Sequence, residues 1–127
     1  MQVHAITRNV RMSAQKMREV VRQIQGLPAI QAQAVLRVVP RKSARLVAKT
    51  LKSAMANAEN NNGAKPENLW VREAVAGTAT SLRRFTPKAR GSAGPIIKRN
   101  CHIKIVVSDE DVNAPSSRRG LQGEKKQ

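Results

Sequence analysis

The apolar positions of the chain change period along its length, and the changes mark its elements. After Ser13, the residues Met17, Val20, Val21 and Ile24 fall at i, i+3, i+4 and i+7, the spacing of one helix face. Lys16, Arg18, Arg22 and Gln23 stand off that stripe. Ser13 is placed to cap this helix, Gly26 to end it in a left-handed conformation, and Pro28 to help prevent its continuation. A shorter helix is predicted from about Ala29 to Val38, with Ala32, Val35, Leu36 and Val39 inward. Pro40 separates it from a third. There Ala44, Val47, Ala48, Leu51, Ala54, Met55 and Ala58 repeat at helical spacing, and Arg41, Lys42, Arg45, Lys49 and Lys52 avoid the centre of the stripe. The alanines permit close packing against a neighbour. Asn60, Asn61, Asn62 and Gly63 are expected to end the helix in turn chemistry.

Elsewhere the period is two. Gln2 to Arg8 alternates weakly and reads as a short strand. From Leu69, the residues Leu69, Val71, Glu73 and Val75 alternate with Trp70, Arg72 and Ala74. Near the far end, Ile103, Ile105 and Val107 alternate with His102, Lys104 and Val106. Residues 111–127 carry no periodicity and read as a disordered tail, leaving one domain over residues 1–110.

Charge changes the picture. The chain has 127 residues, with 24 Lys and Arg against 8 Asp and Glu, a formal charge of +16. Such a particle repels itself unless a polyanion neutralises it, and nucleic acid is the first candidate. Met1 to Ala58 holds eleven basic residues and only Glu19 as an acid. Surfaces ordinarily mix the two signs. Tyr is absent, and Trp70 and Phe85 are the only large aromatics. The chain therefore cannot stack a run of bases on several rings, as readers of single strands usually do. Phosphate contacts by Arg and Lys remain.

The middle segment carries most of this signal. Between Glu73 and Asp109 there is no acidic residue, while Arg83, Arg84, Lys88, Arg90, Lys98, Arg99 and Lys104 are all basic. Leu82, Phe85, Ile96 and Ile97 are too sparse to form a core there. Pro87, Gly91, Gly94 and Pro95 mark a tip or bends near it. If the flanking strands pair, residues of about 77–101 must go out and return. Each arm would then be about 12 residues, on the order of 40 Å when extended. A lone ribbon of that length is marginally stable in water and needs a partner along its sides. A merely solvated loop is the plainer reading, but long loops in compact domains are usually functional.

Candidate catalytic chemistry is thin. No glycine-rich phosphate loop occurs, and neither His4 nor His102 has a partner at metal-ligand spacing. His102, Ser108 and Asp109 contain the letters of a triad but sit on one local strand end, which does not build its geometry. No metal or cofactor is expected. Cys101 is the only cysteine, so no internal disulfide can form, and a buried, inert thiol is expected. No apolar run approaches the roughly 18 residues of a membrane span, and no secretory h-region opens the chain. A cytosolic, unprocessed protein without a membrane partner is the expectation.

Four short stretches then stand in a familiar order. They are Ser13 to Lys16 (Ser-Ala-Gln-Lys), Ala56 to Asn61 (Ala-Asn-Ala-Glu-Asn-Asn), Arg83 to Gly91 (Arg-Arg-Phe-Thr-Pro-Lys-Ala-Arg-Gly), and His102 to Asp109 (His-Ile-Lys-Ile-Val-Val-Ser-Asp). With them the chain resembles the family of large-subunit ribosomal protein number twenty-two, over Met1 to about Asp109. The resemblance implies an α+β fold: three helices packed on a small three-stranded antiparallel sheet, with a long protruding basic β-hairpin. It implies binding to large-subunit ribosomal RNA, neighbouring ribosomal proteins as partners, and a cytoplasmic, ribosome-bound place in a bacterium or organelle. It also implies support of subunit assembly. The hairpin tip, Arg84, Phe85, Thr86, Pro87, Lys88, Ala89, Arg90 and Gly91, would line the peptide exit tunnel beside the nascent peptide. The chain departs from the family pattern at Gln25 and Leu27, where basic residues are usual, and at Ser92, Gly94 and Pro95 beyond the tip glycine.

Charge and resemblance together nominate Arg8, Arg11, Lys16, Arg18, Lys42, Lys49, Arg83, Arg84, Lys88, Arg90, Lys98 and Arg99 as RNA-binding residues. A stand-alone architectural nucleic-acid binder, using the second and third helices as a helix-turn-helix, is the alternative. It leaves the long basic segment unexplained. An enzyme acting on RNA would lack an acid, base or metal cluster.

Overall fold

The computed structural model describes residues 2–109; the tail over residues 111–127 lies outside them. The described chain runs β1 (Gln2–Val10), α1 (Ala14–Ile24), α2 (Ala29–Val38), α3 (Lys42–Asn62), β2 (Trp70–Thr78), β3 (Leu82–Pro87), β4 (Ala93–Lys98) and β5 (Cys101–Ser108). Strands β1, β5 and β2 form one antiparallel sheet in that order, and β3 pairs with β4 in a second, two-stranded ladder. The fold class is α+β, with three helices on a small antiparallel sheet.

The helical stripes become the core. Met17, Val20, Val21 and Ile24 are buried, joined by Ala14. The Ser13 side chain accepts from the Lys16 N–H at 3.4 Å, and Gly26 takes a positive φ of 80°, so both ends of α1 follow sequence logic. Helix α2 buries Ala29, Ala32 and Leu36, with Val35 and Val39 half-buried. Helix α3 buries Val47, Leu51, Ala54, Met55 and Ala58 against β1 and β5, with α2 on another side. Its end differs from expectation. Asn60, Asn61 and Asn62 stay helical, and the left-handed residue that stops the helix is Gly63, φ 64°. Asparagine tolerates a helix interior at modest cost, whereas glycine reaches positive φ without a Cβ penalty.

The sheet buries Ile103, Ile105 and Val107 of β5 on the helix side. On β2 the even alternation breaks. Val71 faces Val107, but Glu73, not Arg72, faces Val106. One extra residue in a bulge swaps the two faces of the strand. Ala74 and Ala76 are therefore buried, and Val75 is exposed. Strand β1 also slips: Thr7 pairs with Ile103 and Val10 with Cys101, so Arg8 and Asn9 span an irregularity. Asn9 takes φ 56° there and its N–H donates to His102 Nδ1 at 3.1 Å. The strand continues to Val10, two residues past Arg8.

The outer edge of β2 is closed without a strand. Gly26 N–H donates to the Val71 carbonyl and Val71 N–H to the Leu27 carbonyl, both at 2.9 Å. Farther along, the Arg18 guanidinium donates to the Ala76 carbonyl at 3.0 Å, and the Gln25 amide donates to the Ala74 carbonyl. Gln25, one of the departures from the family pattern, thus serves the sheet edge.

Candidate nucleic-acid interface

Where β2 and β5 end, Thr78 pairs with Cys101; the next ladder opens with Leu82 opposite Lys98. Ala79, Thr80 and Ser81 face only Arg99 and Asn100, an uneven count that bends the chain. Asn100 ties the bend. Its carbonyl accepts from the Ala79 N–H at 3.1 Å, and its amide donates to the Thr80 carbonyl at 3.0 Å. Its Oδ1 accepts from Arg11 Nη1 at 3.2 Å.

That bend, the N-terminus of α1 and the start of α3 border an open basic cleft of about 350 Å³, lined by Arg11, Ser13, Lys16, Lys42, Lys98 and Arg99 together with Met12 and Ile97. Lys42 reaches into it from α3, its Nζ donating to the Arg11 carbonyl at 3.3 Å. A second cleft of about 490 Å³ adjoins it, sharing Ser13 and Arg99 and adding Arg18, Thr78 and Ser81. Neither cleft has a carboxylate in its lining. Six of the residues nominated from sequence, Arg11, Lys16, Arg18, Lys42, Lys98 and Arg99, line these two adjoining clefts. Cations from four parts of the chain, with no balancing acid, fit an anionic backbone that passes the base of the ladder.

Four more nominees stand on the ladder. Arg83 and Arg84 are exposed on β3, Lys88 is exposed at its end, and Arg90 is exposed in the reversal. The reversal is short. Lys88 N–H donates to the Ser92 carbonyl at 2.7 Å, and the Ser92 hydroxyl donates to the Ala89 carbonyl at 2.9 Å. Arg90 and Gly91 both take positive φ, 62° and 72°. Arg84, Phe85, Thr86 and Pro87 of the nominated tip lie on β3, and Lys88 to Gly91 make the turn itself. Ser92, where the resemblance implies a basic residue, makes a bond that closes the turn. No residue between Gly77 and Asn100 is buried.

Arg8 and Lys49 are exposed on β1 and α3, and neither lines the two clefts. Sequence reasoning did not nominate Arg37, Arg41 and Arg45, which with Lys42 line a groove of about 620 Å³ between α2 and α3. Their spacing of four across Pro40 is the signal that was available. Arg41 is engaged there in an exposed ion pair with Glu19 of α1.

Among the described residues, no group of three or more His, Cys, Asp or Glu is placed to hold a metal ion. Cys101 is fully buried, and burial raises its thiol pKa above the ordinary value. No helix among the described residues is long and apolar enough to cross a membrane.

The sequence profile of the family described as "Ribosomal protein L22p/L17e" matches residues 5–108. The chain belongs to this family. The match takes in nearly all of the sheet, all three helices, both clefts and the ladder, and the ribosomal L22 family is one of structural, non-enzymatic proteins. The chain is 50% identical over 113 residues to the "Large ribosomal subunit protein uL22" of Opitutus terrae, covering 89% of this chain and 100% of that one. It is 44% identical over 111 residues to the protein of the same name from Akkermansia muciniphila, covering 87% and 99%.

Proposed function

We propose that this L22-family chain is a one-domain structural protein of the large ribosomal subunit that binds its ribosomal RNA through the cations at the base and along the sides of the β3–β4 ladder. The observation that carries this reading is the pair of adjoining basic clefts, continued outward by Arg83, Arg84, Lys88 and Arg90 with no carboxylate from Ala74 to Ser108. In this reading β3 and β4 are the outer part of a long basic hairpin that projects from the body. The body rests on folded RNA and on neighbouring ribosomal proteins. The hairpin runs between RNA segments, and its tip lines the peptide exit tunnel beside the nascent peptide. The protein is then ribosome-bound in the cytoplasm of a bacterium or within an organelle, and needs no cofactor.

Phosphate contacts release counterions, so affinity for RNA falls with salt at a slope of roughly −0.7 to −0.9 per neutralised phosphate in log–log form. Two measurements test the reading together. The chain should co-sediment with large subunits after a high-salt wash, and the isolated protein should bind large-subunit RNA with a steep salt dependence. A free or chromosome-bound pool, or affinity flat in salt, would overturn it.

A further inference from the structure

The ladder has two unlike faces. Its register pairs Arg83 with Ile97, Phe85 with Pro95 and Pro87 with Ala93. Alternation puts those six side chains on one face and Leu82, Arg84, Thr86, Gly94, Ile96 and Lys98 on the other. The second face is partly covered by its own chain. Gly94 leaves room for Lys88: a Cβ there would stand 2.6 Å from Lys88 Cε, so the lysine stem lies over the strand. Thr86, Gly94 and Ile96 on this face are half-buried. The first face is open toward the turn, while its inner end, at Ile97, lines the basic cleft. Phe85 is 74% exposed and Ile97 49% exposed, and Pro87, Ala93 and Pro95 are exposed as well.

An open apolar face on a highly charged ribbon needs an occupant, and the surroundings select its chemistry. The face is only two strands wide, with neighbouring strands about 4.8 Å apart. That is a platform for a single flat ring system and too narrow for a protein core to seat on. Phe85 supplies the π-face and Pro95 extends it across the ladder. Arg83 stands on the same face two residues away, about 6.6 Å along the strand, where a cation meets charge attached to that ring. Arg84 and Arg90 lie nearby in sequence, and no carboxylate occurs anywhere in the segment. An apolar protein partner would leave the Arg83 guanidinium covered and unpaired, which is costly. A nucleotide brings the ring for Phe85 and the phosphate for Arg83 together.

We infer that Phe85, backed by Pro95, is a stacking site for one unpaired RNA base, with Arg83 holding a phosphate of the same strand. The inference rests on the RNA-binding reading above and goes beyond it, because phosphate contacts alone do not distinguish paired from unpaired RNA. It is also compatible with the scarcity of aromatics, since one ring serves one base and reads no sequence.

The test uses the full chain, single-stranded poly(A) and an RNA duplex at matched nucleotide concentration, in low and moderate salt. Phe85→Ala should weaken poly(A) binding by roughly 5- to 100-fold and leave duplex binding and the poly(A) salt slope unchanged. Phe85→Leu keeps apolar area without the π-face and should fall with the alanine variant. Phe85→Trp should bind poly(A) at least as well as the parent, with its added fluorescence quenched by poly(A) and not by duplex. Wild-type affinity in Phe85→Leu, with or without a loss in Phe85→Ala, would point to an apolar protein or peptide contact and overturn the stacking site. An equal loss on both RNAs would overturn it too. A wild-type chain whose binding is flat in salt would instead fail the RNA-binding reading itself, a separate readout. Unchanged thermal melting of each variant secures the comparison.

Discussion

The body and the β3–β4 ladder are built from the same chain on opposite principles. In the body, Met17, Ile24, Leu51, Ile103 and Ile105 are fully buried, and the chain joining α1 to α2 is bonded to the β2 side through Gly26 N–H to the Val71 carbonyl and Ala29 N–H to the Leu69 carbonyl. The one buried threonine is bonded as well: Thr50 Oγ1 bonds the Leu46 carbonyl at 3.1 Å and Thr7 Oγ1 at 2.8 Å, whereas the buried Ser43 hydroxyl of α3 has no hydrogen-bond partner. In the ladder no side chain is buried, and the strands hold each other mainly by backbone pairing, with the Lys88 stem over Gly94 and the Ser92 hydroxyl at the turn. The body carries its stability within itself. The ladder presents a surface of cations and one exposed ring in place of internal packing.

That contrast can be broken most forcefully from the body side. Leu51→Ala removes a fully buried side chain and should destabilise the protein by about 2–5 kcal/mol, read as a lowered urea midpoint with RNA contacts untouched. The mirror experiment replaces Arg83, Arg84, Lys88 and Arg90 with Gln. Melting should stay within about 0.5 kcal/mol of the parent, while the log–log salt slope for RNA becomes shallower by up to about 3. If the quadruple variant unfolds, the ladder belongs to the core and the division is wrong.

Smaller effects sharpen the border between the two regions. Gln25→Ala takes the amide from the Ala74 carbonyl at the sheet edge and should cost about 1 kcal/mol of stability without changing the salt slope. A change in slope would show Gln25 on the RNA side of the border. Cys101 sits at the foot of the ladder yet inside the body. Its thiol pKa is raised by burial, so the protonated form is favoured in the folded state and stability falls only as pH climbs above the ordinary thiol value. Alkylation at neutral pH should therefore be slow in the native protein and rapid in urea. Equal rates would mean that the foot of the ladder opens readily. Smallest of all, deleting residues 111–127 should move the melting midpoint by no more than about 0.5 kcal/mol equivalent, since the buried run of β5 ends at Ser108.

The parts of this architecture that were legible in sequence are those governed by local period. The stripe Met17, Val20, Val21, Ile24 is buried to the last residue, and α2 spans Ala29–Val38 as its prolines and apolar spacing predict. What sequence did not disclose is set by partners distant in the chain. The bulge after Val71 exists because β2 must follow β5, and no residue near Arg72 announces it. Arg18 reads as one more surface cation, whereas its guanidinium bonds a carbonyl 58 residues away while also lining a cleft. For the interface, the ladder cations were legible as an unbalanced run. The convergence of Arg11, Lys16, Lys42 and Lys98 was not, because it depends on the bend held by Asn100. In the sequence Ser92 and Gly94 stand only as departures from the family pattern. Each has a local use, one closing the turn and the other admitting the Lys88 stem.

The closed edge of β2 matters most before the protein reaches its partners. An open strand edge is a template on which a second copy can build, and sheets with long free edges clump. Here Arg18, Gln25 and the segment Gly26 to Ala29 occupy that edge, while the irregularity at Arg8 and Asn9 interrupts the opposite one. A newly made copy waiting for RNA is thereby denied strand-to-strand growth along β2, and its remaining cations repel its siblings. The same few residues that finish the sheet act as a guard against premature self-association.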